Sequence, residues 1–129
     1  MSDYTKTNLR ELPNAAERFG IPDMETHFAR TELGSERSGV SLQRFGPNTR
    51  QAFGHRHADQ EETYVVVSGS GRVKLEDEIV ELRPWDALRV SKDTMRCFEG
   101  GPEGLEYVAF GAGEGGREES EIVPGWWSD

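Results

Sequence analysis

Short apolar runs alternate with polar positions along most of the chain, and glycine, proline, aspartate or asparagine interrupts them at close intervals. A period of two predicts strands. The pattern gives Thr26 to Thr31, Val40 to Phe45, Ala52 to His57, Thr63 to Ser68, Arg72 to Leu75, Ile79 to Leu82, Ala87 to Val90, Arg96 to Glu99 and Leu105 to Phe110. Turn residues fall between them: Gly46-Pro47-Asn48, Gly69-Ser70-Gly71 (read as a hairpin turn), Glu76-Asp77-Glu78, Arg83-Pro84-Trp85-Asp86 and Gly100-Gly101-Pro102. About eight or nine short strands at this spacing predict an all-β sandwich or barrel closing on itself.

Both ends read differently. Residues 1 to 20 form a lead-in with one short helix, in which Pro13 occupies the first turn, Ala15 to Arg18 tolerate helix and Gly20 stops it. Gly111 to Gly116 is flexible in composition and leads to Ile122-Val123-Pro124-Gly125-Trp126-Trp127. Leaving either tryptophan in water costs roughly 1.5–3 kcal/mol, so the tail is expected to dock. In the strand from Thr63, Tyr64 and Val66 share the parity of Glu62, whereas Val65 and Val67 point the other way. Apolar residues on both faces imply two covers, the barrel interior on one side and the N-terminal segment or a second copy on the other. A homodimer is expected on that ground.

Composition narrows the function classes. The 129 residues suit one domain, with neither an internal repeat nor a second core. Twenty-four acidic against fifteen basic residues give a net charge of −9. Phosphate backbones and anionic lipid repel such a surface, so nucleic-acid and membrane roles are not expected. No apolar run approaches the ~20 residues of a membrane span, and the N-terminus lacks signal-peptide character. The one cysteine, Cys97, has no partner for an internal disulfide, which favours a cytoplasmic setting. Beside Phe98 in a strand, it reads as a buried structural thiol.

The candidate chemistry lies between residues 55 and 69. His55 and His57 are two apart on one strand and so share a face. Imidazole and the Glu62 carboxylate are both ligands for divalent transition metals. Gly69-Ser70-Gly71 lacks the third glycine and following helix of a dinucleotide fingerprint, and no nucleophile elbow, phosphate loop or paired-cysteine zinc pattern occurs.

His55-x-His57-x4-Glu62-x6-Gly69 resembles the first motif of the cupin superfamily, without that motif's upstream glycine. Pro84, Asp86 and the stretch Val90 to Phe98 resemble a degenerate second motif. The chain is thus similar to small single-domain cupins of the conserved-barrel type. The resemblance covers roughly residues 38 to 112, leaving a lead-in over 1 to 25 and a tail over 113 to 129. It implies a double-stranded β-helix, or jelly-roll barrel, with a short N-terminal helix. In metal-binding cupins the two histidines and the glutamate of the first motif, with a histidine of the second, are the ligands. That implies His55, His57 and Glu62 here, with zinc, iron, manganese or nickel as the ion.

The position of the second-motif histidine falls on Arg96. Arginine has no lone pair to donate and stays charged. A guanidinium ~4 Å from a divalent ion costs about 8 kcal/mol at an effective dielectric near 20, against the ~10–16 kcal/mol gained by structural zinc sites with four good ligands. Either Arg96 swings away, or the pocket is metal-free with Glu62 and Arg96 paired inside it.

Three functional readings follow. The first is a small-molecule binder or enzyme, oxygenase or isomerase, holding a metal on His55, His57 and Glu62. The second is a metal-free, isomerase-like barrel in which Arg96 and Tyr64 contact a carboxylate or sugar-like ligand and a histidine is the general base. The third is a non-catalytic structural barrel. His27 is an alternative ligand, and Arg44 an alternative partner of Glu62; a surface or edge position is the simpler expectation for His27.

Overall fold

The structure is a computed structural model, described for residues 2–112 and 120–129. A single 3₁₀ turn (Leu9–Glu11) precedes helix α1 (Ala15–Arg18). Then come β1 (Met24–Phe28), helix α2 (Arg30–Leu33), β2 (Ser38–Phe45), β3 (Phe53–His57) and β4 (Glu61–Leu75), followed by β5 (Glu78–Leu82), β6 (Ala87–Val90), β7 (Arg96–Ala112) and β8 (Ser120–Pro124). The strands form one curled, antiparallel sheet in which β1, β2, β7, β3 and β8 are neighbours in that order and β4 pairs with β5, β6 and β7.

Two strands are longer than the sequence pattern predicts. Thr63 to Ser68 and Arg72 to Leu75 belong to one 15-residue strand, β4. Arg96 to Glu99 and Leu105 to Phe110 belong to one 17-residue strand, β7. Gly69-Ser70-Gly71 is therefore not a hairpin turn. It is an irregularity where the β4–β7 register shifts, between Val66 and Ser68 and again between Gly69 and Gly71. Gly69 and Gly104 adopt φ of +77° and +82°, and a Cβ on Gly69 would collide with the Gly104 carbonyl. Bulges of this kind bend a strand without ending it. The hairpin turn lies one segment later, at Glu76-Asp77, where Leu75 pairs with Glu78.

Three further expectations change. Pro13 precedes α1 rather than lying in its first turn, and Asn14 caps the helix, its Oδ1 accepting from the Ala16 and Thr26 amides at 3.0 and 2.9 Å. The first strand ends at Phe28, and Thr31 lies in α2, which Gly34 closes with a φ of +68°. The tail contains a strand: β8 pairs with β3 from Phe53↔Pro124 to His57↔Ser120. Pro124 sits at the far end of β8, where its missing amide donor is tolerated.

Tyr64, Val66, Phe98, Leu105 and Tyr107 form the centre of the core. The Phe98 and Tyr107 rings lie 4.4 Å apart, with Tyr64 at 4.9 and 5.4 Å from them. Val65 and Val67, on the outward face of β4, are half-buried. Among the described residues, no helix is long and apolar enough to cross a membrane. Cys97 is fully buried, its thiol faces the Gln51 carbonyl at 3.4 Å, and burial raises its pKa to about 12. It is a structural residue.

The tryptophans dock as expected. Arg50 and Arg72 lie 4.1 and 5.1 Å from the Trp127 ring, and both guanidiniums are held by Glu99, at 2.8 and 2.6 Å. Trp126 lies against Gly54, where a Cβ would come within 2.8 Å of the indole. Gly54→Ala is therefore expected to cost about 1–3 kcal/mol through overpacking. A urea melt followed by tryptophan emission checks this, and a folded-state red shift should report the displaced tail.

Candidate functional site

β3 and β4 build the site. His55 and His57 occupy alternate positions of β3, Glu62 and Tyr64 alternate positions of β4, and all four line one cavity of about 770 Å³. That size suits a small molecule, and the barrel interior is not collapsed. Helix α1 contributes Ala15 and Ala16 to the wall, and β8 contributes Ser120 and Ile122.

Glu62 Oε1 is the hub. It accepts from Tyr64 Oη at 2.5 Å and lies 2.8 Å from His57 Nε2 and 3.3 Å from His55 Nε2. Burial opposes ionisation of Glu62, but the hydrogen bonds from His55 and His57 outweigh it and hold the carboxyl far below its usual range. Burial lowers the pKa of His55, and Arg96 and His57 reinforce this against the pull of Glu62, so the imidazole is neutral. Burial and the Glu62 charge raise Tyr64 well above its ordinary value and keep its hydroxyl a donor.

With the His55 Nε2–H directed at Glu62, the Nδ1 of this neutral ring carries a lone pair. His57 Nδ1 lies 3.2 Å from Ser120 Oγ. His55 Nδ1 is buried and has no hydrogen-bond partner among the described residues.

Arg96 is fully buried. It pairs directly with His55 in the β3–β7 register, so it does face the cluster from the position the sequence assigns it. Its guanidinium donates to the His55 and Ser91 carbonyls at 3.4 and 3.3 Å and lies 3.9 Å from Glu62 Oε1. It stands behind the cluster, outside the set of residues lining the cavity. Arg44 pairs with Glu25 and Glu106 rather than Glu62. His27 is buried, not at the surface: it bridges the Leu12 carbonyl (2.8 Å) and Glu25 (3.0 Å) beneath the N-terminal segment, away from the other histidines.

The ligand atoms of His55, His57 and Glu62 all lie within 4.8 Å of one another, a grouping compatible with one metal ion. The donor types fit zinc, iron, manganese or nickel. The surroundings fit less well. An ion ~2 Å from Glu62 Oε1 would lie within ~6 Å of the guanidinium, where repulsion at an effective dielectric near 20 is about 5 kcal/mol.

Sequence reasoning did not reach Ser120, which a distant strand pairing brings to His57, nor the polar wall formed by Thr26, Ser41 and Gln43. The available signal for the wall was the shared parity of Ser41 and Gln43, alternating with apolar Val40 and Leu42.

No protein-family profile matches the sequence, and no curated protein is detectably similar to it. Solved structures are similar in fold. A cupin protein from Bacteroides fragilis superposes with a TM-score of 0.72 at 20% identity, covering 92% of this chain and 95% of its own. Pac13 of Streptomyces, described as a nucleoside dehydratase, superposes with a TM-score of 0.73 at 20% identity over 95% and 92% of the two chains. Histidine and tyrosine variants of Pac13 are described with uridine. KdgF from a Halomonas species gives a TM-score of 0.60 at 18% identity over 87% and 89%. The curled antiparallel sheet, its bent central strands and these likenesses together give this chain the cupin double-stranded β-helix fold.

Proposed function

We propose that the barrel binds a small organic molecule and moves a proton on it without a metal, as a lyase or isomerase. The observation that carries this is the state of His55. A carboxylate fixes its Nε2, its Nδ1 lone pair is unpartnered among the described residues, and burial keeps the ring neutral. An imidazole oriented by a carboxylate, with its opposite nitrogen unpartnered, is the arrangement of a general base. In the proposed step His55 Nδ1 takes a proton from a carbon next to a carbonyl, and the electron pair moves toward the carbonyl oxygen. The proton then returns to a neighbouring carbon, which is isomerisation, or leaves with a departing hydroxide as water, which is dehydration. Tyr64 and His57 hold Glu62 ionised throughout.

Charge balance supports the metal-free reading. Ionised Glu62 and Arg96 already cancel beside the neutral imidazole of His55, and a divalent ion would add two positive charges to a buried cluster. Pac13 gives independent support for the reaction class, since dehydration is proton-transfer chemistry. A second reading, a divalent ion on His55, His57 and Glu62, is favoured by the 4.8 Å grouping of their donor atoms.

The test is proton NMR in D₂O with neutral aldehydes and ketones of the sugar and nucleoside class. Deuterium entry next to the carbonyl, or loss of water, is expected in metal-chelated buffer, and His55→Gln should slow it by about 10² or more. Undiminished turnover in His55→Gln, or turnover only after adding metal, would contradict the proposal.

A further inference from the structure

The cavity has a second polar pole. Thr26, on β1, and Ser41 and Gln43, on β2, line it and are joined in a chain of hydrogen bonds. Thr26 Oγ1 donates to Gln43 Oε1 at 2.8 Å, and Gln43 Nε2 donates to Ser41 Oγ at 3.0 Å. Thr26 and Ser41 are buried.

Proton accounting leaves this chain incomplete. Each hydroxyl has one proton and each amide nitrogen two. With the amide oriented this way, Thr26 uses its proton on Gln43, while Ser41 only accepts. The Ser41 O–H and the second Gln43 N–H have no acceptor within the triad, and Thr26 Oγ1 has lone pairs to offer. Turning the amide over frees the Thr26 hydroxyl instead of the Ser41 one, and the surplus is the same. Buried donors are rarely left unmatched, so this wall is built to meet hydrogen-bonding groups from the cavity.

Sheet register sets its distance from the proton-transfer cluster. Ser41 pairs with Ala109, and Ala109 with Tyr64. Two strand spacings separate the poles, roughly 10 Å. The residue between them is alanine, which leaves an open trough.

We infer that Thr26, Ser41 and Gln43 are a distal subsite that takes the uncharged hydroxyl- or carbonyl-bearing end of a ligand about two rings long. The inference rests on the acid–base reading for the ligand's other end. The triad contains no charge, and at the opposite pole the pairing of Glu62 with Arg96 leaves no net positive charge to hold an anion. Among the described residues, the one guanidinium lining the cavity is that of Arg30, which donates to the Glu36 carbonyl at 2.9 Å and lies over Gly39, outside the triad. The ligand class is therefore neutral sugars, lactones and nucleosides, without phosphate or carboxylate.

Saturation-transfer NMR and calorimetry on the unmodified chain test this with matched pairs: uridine against uridine 5′-monophosphate, methyl riboside against ribose 5-phosphate, and gluconolactone against gluconate. At least one neutral member should bind, with its anionic counterpart weaker by about tenfold or more. Ser41→Ala and, separately, Gln43→Met should each weaken the neutral ligand by about tenfold in proteins that still melt cooperatively. His55→Gln should leave binding largely intact while slowing turnover by about 10² or more, so loss of the base and loss of the subsite give different signatures. Failure of every neutral member to bind would overturn the subsite. So would anions binding as well or better, which would move the anchor to Arg30, or unchanged affinity in folded Ser41 and Gln43 variants.

Discussion

Replacing Glu62 with glutamine is expected to destabilise the fold by about 3 kcal/mol at neutral pH. Removing one partner of a buried ion pair costs ~3–5 kcal/mol, because the other charge is left uncompensated. Arg96 is fully buried, and its nearest carboxylate is Glu62 at 3.9 Å. Its two carbonyl partners persist in the variant, which places the effect at the lower end. Adding Arg96→Met to Glu62→Gln should recover most of the loss, and urea melts of the four proteins give the coupling directly. A single-variant cost below about 1 kcal/mol would mean that solvent, rather than Glu62, balances Arg96.

Glu62 and His55 set the pH dependence. Glu62 has a folded pKa below its unfolded value of ~4.3, so its contribution is present above that value and is lost as pH falls toward the folded one. His55 is also depressed below its unfolded value of ~6.5. The folded state resists its protonation, and stability begins to fall as pH drops below that point. Wild-type stability should therefore decline in two stages, the upper from His55 and the lower from Glu62. Glu62→Gln lacks the lower stage, and the gap between the two proteins should narrow in acid.

Arg96→His should create a tight metal site. The substitution removes the repulsion of about 5 kcal/mol at ~6 Å and supplies a fourth donor, an imidazole nitrogen, opposite His55. Even if half of that energy is recovered, zinc affinity rises by about 10² or more, and competition with a chromogenic chelator measures it. An equal affinity in wild type and variant would show that Arg96 does not control the ion.

Much of this was legible in the sequence because it depends on local pattern. The parity of Glu62, Tyr64 and Val66 gave the inward face of β4, and the spacing of His55, His57 and Glu62 gave the cluster. The position of Arg96 followed from the departure in the second motif. What escaped depends on pairing between distant segments. Gly69 and Gly104 look like turn residues, yet each lies inside a continuous strand, close to where the β4–β7 register shifts. Ser120 has no chemical signature until β8 lies beside β3. The Thr26–Ser41–Gln43 wall needs the β1–β2 register, and single-strand periodicity does not contain that information. His27 looked like an edge residue because the segment that buries it precedes it by 15 positions.

The central claim is that a guanidinium takes the place of a metal's charge in this barrel. Elemental analysis of untagged protein, loaded in turn with zinc, iron, manganese and nickel and then dialysed, tests it most directly. Wild type is expected to retain far less than one ion per chain, and Arg96→His about one. One tightly held ion per wild-type chain would contradict the account.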